Sequence, residues 1–288
     1  PGLPSEDLLT EEAELNWARN DFEQRFGFPG ARFTAVNNAV SFLIALAMTV
    51  LFFVFVVYAL NRMEPTQVVA AMFLRGLIPV PIAFLFFWCM AILFVKERKL
   101  NFQRRALDLK PFPEQPDFVL NSDTSKEVLA SIHHSVDDTR HFVLFNRIER
   151  ALSNLRNIGR ISDVSDILQT QADYDEGHQE SSYRLINGFI WAIPVLGFIG
   201  TVLGLSDAIG GFGATLAAAG EDMEMLKESL GGITGGLSTA FETTLIALVA
   251  ALIVQVRMTF LQQREALFLD ECNDYCHAHV VSRLRLTS

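Results

Sequence analysis

Polar and apolar positions along this chain fall into long blocks. Residues 33 to 61, 76 to 95 and 185 to 206 carry no charge, and residues 229 to 256 carry only Glu242. A helix needs roughly 20 residues to cross a hydrocarbon core of about 30 Å, and each block reaches that length. Backbone groups in lipid must be bonded internally, and blocks of this size suit helices better than the strands of about ten residues found in barrels. The pattern therefore predicts an all-α integral membrane protein: four transmembrane helices with long cytoplasmic helical extensions.

Outside the blocks the periodicity becomes amphipathic. Residues 5 to 26 interleave Leu8, Leu9, Leu15, Trp17, Phe22 and Phe26 with charge after a cap at Ser5, which predicts a helix lying at the inner membrane face or packed on a cytoplasmic domain. Pro79 and Pro81 should disturb or delay the second span at its outer end. PFPEQPDF, residues 111 to 118, reads as an extended linker. From Lys126 to Arg156, apolar residues such as Val128, Ile132, Phe145, Ile148 and Leu152 recur at three- and four-residue spacing, predicting one amphipathic helix. A further helix is expected to run from Asp163 into the third span. The resulting segments are an N-terminal helix (1–32), spans one and two (33–96), a cytoplasmic helical region (97–184), spans three and four (185–258) and a C-terminal helix (259–288).

Composition agrees with the membrane reading, since half of the 288 residues are hydrophobic. Basic residues set the orientation. Lys96, Arg98, Lys99, Arg104 and Arg105 follow the second span, and Arg257 and Arg264 follow the fourth, so these ends and both termini are expected in the cytoplasm. The loop from Asn61 to Arg75 and the acidic loop with Asp207, Glu221, Asp222, Glu224 and Glu228 then lie outside. Residues 1 to 32 lack the basic leader and apolar core of a signal peptide, so the first span should remain as an anchor. A formal charge of -10 argues against a nucleic-acid partner. Three cysteines give no disulfide framework.

The third and fourth spans carry the candidate chemistry. At 100° per residue, Pro194, Gly197, Thr201, Gly204 and Ala208 share a narrow stripe, with Gly200 beside it and a GxxxG pair at Gly200 and Gly204. Gly236, Ala240, Thr243, Thr244, Ala247, Ala250 and Ala251 fall within an arc of about 120° on the fourth span, opposite bulky Leu245, Leu248, Val249 and Leu252. Small faces of this kind serve helix packing, or packing together with the lining of a polar path that exists only in an oligomer, where Thr243 and Thr244 would face Thr201. Glu242 sits about 140° from the centre of the small face. An acid in lipid must be protonated, paired or near the interface, and it is a functional candidate by default.

Other constellations are weaker. Cys272, Cys276 and His279 share a helix face, but their spacing matches no standard zinc module, and no resident metal or cofactor is expected. The glycines of GGITGG lack the lysine and strand context of a phosphate-binding loop, and no serine, histidine and acid set occurs in one soluble region, so an enzyme is not expected.

WAIPVLGFIGTVLGL (191–205) followed by GGLSTAFETTLIALVAALIV (235–254) resembles the MotA/TolQ/ExbB proton-channel family over about residues 185 to 258. The resemblance implies that Thr201 and Thr244 are pore threonines, with Thr243 beside the latter. The four-span layout is similar to the MotA branch and the motif wording to TolQ and ExbB. Thr239 stands where the TolQ and ExbB branch often has an acid, and the fourth span lacks the proline of the flagellar branch. Also implied are a homopentamer around two copies of a single-span ExbD/TolR/MotB-like subunit whose aspartate carries H+ or Na+, and a motor in the bacterial inner membrane; family frequency favours protons.

Overall fold

The structure is a computed structural model that describes residues 15–25, 27–28, 33–62, 67–109, 111–113, 118–121, 123–153, 161–219 and 223–285. In chain order the helices are α1 (Trp17–Asn20), α2 (Phe22–Arg25), α3 (Asn38–Arg62), α4 (Gln67–Leu74), α5 (Pro79–Asp108), α6 (Thr124–Ser135), α7 (Val143–Ser153), α8 (Ile161–Ser182), α9 (Arg184–Ala219) and α10 (Met223–Cys276). A 3₁₀ turn at Thr139–His141 precedes α7, and a π turn at His277–Val281 follows α10. Among the described residues the only strand-like pairings are two isolated bridges. Four of the helices, α3, α5, α9 and α10, are long and apolar enough to cross a membrane, as the hydrophobic blocks predict. The protein is an all-α membrane protein.

Two compact units share the chain, the first formed by residues 1–40, 94–183 and 260–288 and the second by 41–93 and 184–259. The second contains the apolar helices. Its core is small-on-large packing: Ile82 of α5 and Ile193 of α9 meet Ala247, Ala250 and Ala251 of α10. The first span is tied in by aromatic contacts of Phe42 with Phe84 and Trp88, and by the Trp88 indole donating to the Ser41 hydroxyl at 3.1 Å. Large apolar side chains such as Leu51, Phe198 and Leu252 remain exposed on the outer faces, as lipid or neighbouring copies require.

The first unit is built on a buried aromatic cluster and two buried charge networks. Trp17 packs on Phe102, His141 and Phe142. Arg147 donates to Asp175 at 2.7 Å, and Gln171 donates to the other Asp175 oxygen at 2.8 Å. In the second network Glu265 accepts from the Thr34 and Tyr183 hydroxyls and from Lys96, whose ammonium also donates to Ser182 at 2.8 Å. Lys96 is only 1% exposed. Removing one member of a buried ion pair leaves the other charge unpaired, which costs about 3–5 kcal/mol. Glu265→Ala is therefore expected to lower the melting temperature of the solubilised protein sharply. The double variant Lys96→Met with Glu265→Leu should recover much of the loss; equal destabilisation by single and double variants would contradict the pairing.

Several boundaries differ from the sequence pattern. The helix expected over 5 to 26 is two short helices broken at Asp21, and Trp17 is buried in the first unit rather than on a lipid-facing surface; residues 5 to 14 and Phe26 lie outside the described residues. The single helix expected from Lys126 to Arg156 is interrupted between Ser135 and Val143. There the backbone turns outward to bond Leu15, with Leu15 N donating to Ser135 O at 3.0 Å, and Asp138 caps the next turn by accepting from Arg140 N. Its last residues, 154 to 156, lie outside the described residues. Tyr183 separates α8 from α9, so the helix from Asp163 does not run unbroken into the third span. The outer connection from Asn61 to Arg75 contains α4, and the acidic loop is mostly helical: Asp207 lies in α9 and α10 begins at Met223, whereas Glu221 and Asp222 lie outside the described residues. The fourth span and the C-terminal segment form one helix of 54 residues. Pro79 and Pro81 do delay the second span: α5 starts at Pro79, where a missing N–H is harmless, just after Gly76 at φ +79°.

Candidate functional site

The i to i+4 spacing of Gly197 and Thr201 on α9, and of Ala240 and Thr244 on α10, sets the local geometry. Each threonine hydroxyl lies over the carbonyl one turn earlier on its own helix, Thr201 to Gly197 O at 3.2 Å and Thr244 to Ala240 O at 3.3 Å. Because the helices pack closely, each also reaches the other helix's carbonyl: Thr201 to Ala240 O at 3.3 Å and Thr244 to Gly197 O at 3.1 Å. The two hydroxyls are hydrogen-bonded to each other. Four oxygens thus converge, sharing the Thr201 and Thr244 hydroxyl protons, with the Thr243 hydroxyl and the helix N–H groups donating to the carbonyls from the side. Such a cluster has spare lone pairs and can accept a further donor or a cation.

Glycine makes this approach possible. A Cβ on Gly197 would stand 2.5 Å from Ala247 Cβ and 3.3 Å from Thr244 Cα, and one on Gly204 would stand 2.9 Å from Gly236 O. Gly200 faces Thr243 in the same way. Pro194, inside α9, is half-buried one turn below Gly197. These residues and Ala208, Ala240 and Ala247 are consumed in helix packing within the subunit. The small faces are therefore an interface between α9 and α10, and Thr201 and Thr244 touch instead of facing one another across a gap.

Thr243 shares the Ala240 carbonyl with the pair but bonds neither of their hydroxyls. It is buried, and its hydroxyl donates to Ala240 O at 2.9 Å. Thr239 bonds Gly235 O of its own helix at 3.0 Å and does not reach the cluster. Only Thr201 and Thr244 combine a shared hydroxyl contact with partial exposure.

Glu242 belongs to a different site. It accepts from Arg75 at 2.8 Å and from Ser238, one turn earlier, at 2.9 Å, with the Glu242 side chain 14% exposed and that of Arg75 51% exposed. Of the three ways to keep an acid in an apolar span, this chain uses pairing. Its Oε2 is buried without a partner among the described residues. The missed residue was Arg75; the readable signal is a lone arginine at the mouth of the second apolar block matched by a lone acid in the fourth.

Cys272 and Cys276 are core residues of the first unit; burial pushes the Cys276 thiol up to about 12 and Cys272 up as well. The His279 ring packs on Tyr275 and Phe112.

Residues 143–273 match the model of the MotA/TolQ/ExbB proton channel family. This part of the chain, somewhat less than half of it, is similar to that family. The match is wider than the two spans that carry the motif, since it starts at α7 and ends within α10, and Gly197, Gly200, Thr201, Gly204, Thr239, Thr243 and Thr244 all fall inside it. MotA/TolQ/ExbB proteins are membrane channel subunits and not enzymes, and they assemble with a single-span partner for ion coupling. Arg75 lies outside the matched residues. Neither the curated proteins nor the solved structures compared with the chain include a match to it.

Proposed function

We propose that this protein is the channel subunit of an ion-driven rotary motor: five copies surround two copies of a single-span ExbD/TolR/MotB-like partner, and inward proton flow past the partner's membrane aspartate drives rotation that does mechanical work. The observation that carries the reading is the half-exposed Thr201–Thr244 hydroxyl pair backed by the Gly197 and Ala240 carbonyls. Hydroxyls that share protons can order a water or relay a proton toward a partner acid. A single copy encloses no path; a closed ring of heterologous contacts supplies one. In this reading the chain sits in the bacterial inner membrane with both termini in the cytoplasm, and residues 97–184 and 259–288 form the cytoplasmic helical region.

The experiment is copurification with the single-span protein encoded beside it, followed by mass determination and ion-flux measurement. A 5:2 mass with proton uptake supports the motor. An assembly that takes up no ion would leave a helical scaffold, the opposing reading. The four converging oxygens also suit sodium, and uptake that requires sodium would move the assignment to a sodium-driven stator.

Glu242 is expected to play the lesser part. Its partner Arg75 is half-exposed, and such pairs contribute about 0–1 kcal/mol. Glu242→Gln should therefore retain most ion flow, with Arg75→Gln behaving alike, in the same flux assay. Loss in Glu242→Gln as severe as in a threonine variant would show that the carboxylate handles the ion.

A further inference from the structure

A cleft of about 310 Å³ in the first unit lies between the Trp17–Asp21 segment and the part of α5 that runs from Phe94 to Phe102. Its position in the sequence is telling: Val95 closes the apolar run of the second span and Lys96 opens the basic flank. Arg19 and Arg98 line the cleft and are exposed, and neither guanidinium has an ion pair or hydrogen bond among the described residues; Arg98 lies over the Phe94 ring at 5.4 Å. The cation that is buried there, Lys99, is already engaged, donating to Glu23 at 2.7 Å and to Ala35 O at 2.9 Å, with Asp21 at 3.6 Å. Three cations against two carboxylates leave one net positive charge.

Two buried polar atoms at the cleft also lack partners among the described residues. One is a donor, the Nε1–H of Trp17, whose ring is 1% exposed and held by Phe102, His141 and Phe142; the other is an acceptor, Oδ2 of Asp21. Leaving such atoms unsatisfied carries the full desolvation penalty of each group. A ligand that meets all of these demands needs a single negative charge spread over several oxygens, a hydrogen-bond donor of its own, and an apolar tail to follow the exposed Phe94 face. We propose that the cleft binds an anionic glycerophospholipid of the phosphatidylglycerol class, with its phosphodiester between Arg19 and Arg98 and a head-group hydroxyl toward Asp21.

From the proposed function this takes only that the second span ends near Val95. The test reads lipid binding and not ion flow, so its failure is separable from failure of the motor reading. Native mass spectrometry of the detergent-solubilised full chain in its assembly would be titrated with phosphatidylglycerol, phosphatidylethanolamine, phosphatidylcholine and inorganic phosphate. Phosphatidylglycerol is expected to bind at least about ten-fold tighter than phosphatidylcholine, and Arg19→Gln with Arg98→Gln to remove that preference. Both arginines are exposed, so the double variant should fold; Arg98→Gln alone, expected to show an intermediate loss, serves if it does not. Phosphatidylglycerol binding unchanged by these substitutions, phosphatidylethanolamine binding as tightly, or inorganic phosphate displacing the lipid would each overturn the assignment.

Discussion

Gly197→Val is expected to abolish stable folding of the α9–α10 pair, and Gly197→Ala to weaken it measurably. Even the alanine Cβ would lie 2.5 Å from Ala247 Cβ, far inside van der Waals contact, and 3.3 Å from a backbone atom of Thr244 that no rotamer change can move. Overpacking of this kind costs about 1–3 kcal/mol and more for a branched side chain. Membrane helices have no hydrophobic driving force between them, so contact geometry carries their association. The check is a thermal melt of the solubilised protein, with Gly235→Ala as the comparison, since a Cβ there meets open space. A Gly197→Ala variant as stable as Gly235→Ala would contradict the close approach.

The second large effect concerns the hydroxyl cluster. Thr201→Val and Thr244→Val replace a hydroxyl by a methyl of similar size, so packing is kept while the oxygen is lost. Either should slow ion flow by the cost of one unmet polar group, about 1–3 kcal/mol on the barrier, or about 5- to 150-fold in rate. Because the two hydroxyls share protons as one unit, the double variant should be little worse than the worse single one. Serine at either position restores the oxygen and should restore most of the flow. Independent, additive losses, or valine variants that work as well as serine ones, would remove the cluster from the ion path.

Much of this was legible in the chain. Long uncharged blocks can be satisfied only by helices in lipid, which is why the four spans emerge from hydropathy alone. Helical period separated Glu242 from Thr244, and the structure keeps them in separate networks. Period cannot say what lies opposite a face, however. The small residues of α9 and α10 read equally as pore lining or packing, and only their mutual burial shows that packing takes Gly197, Gly200, Gly204 and Thr243. Partners distant in sequence were likewise hidden: Arg75 for Glu242, and Thr34, Lys96 and Tyr183 for Glu265. The break between α6 and α7 depends on backbone bonds to Leu15, more than a hundred residues earlier, which no local pattern encodes.

The most direct measurement is proton uptake into liposomes holding the protein with its single-span partner, comparing the unaltered chain with the Thr201→Val/Thr244→Val variant at equal assembly. The account predicts rapid uptake by the former and strongly reduced uptake by the latter, with the ring mass unchanged in both. Equal uptake by the two would contradict it.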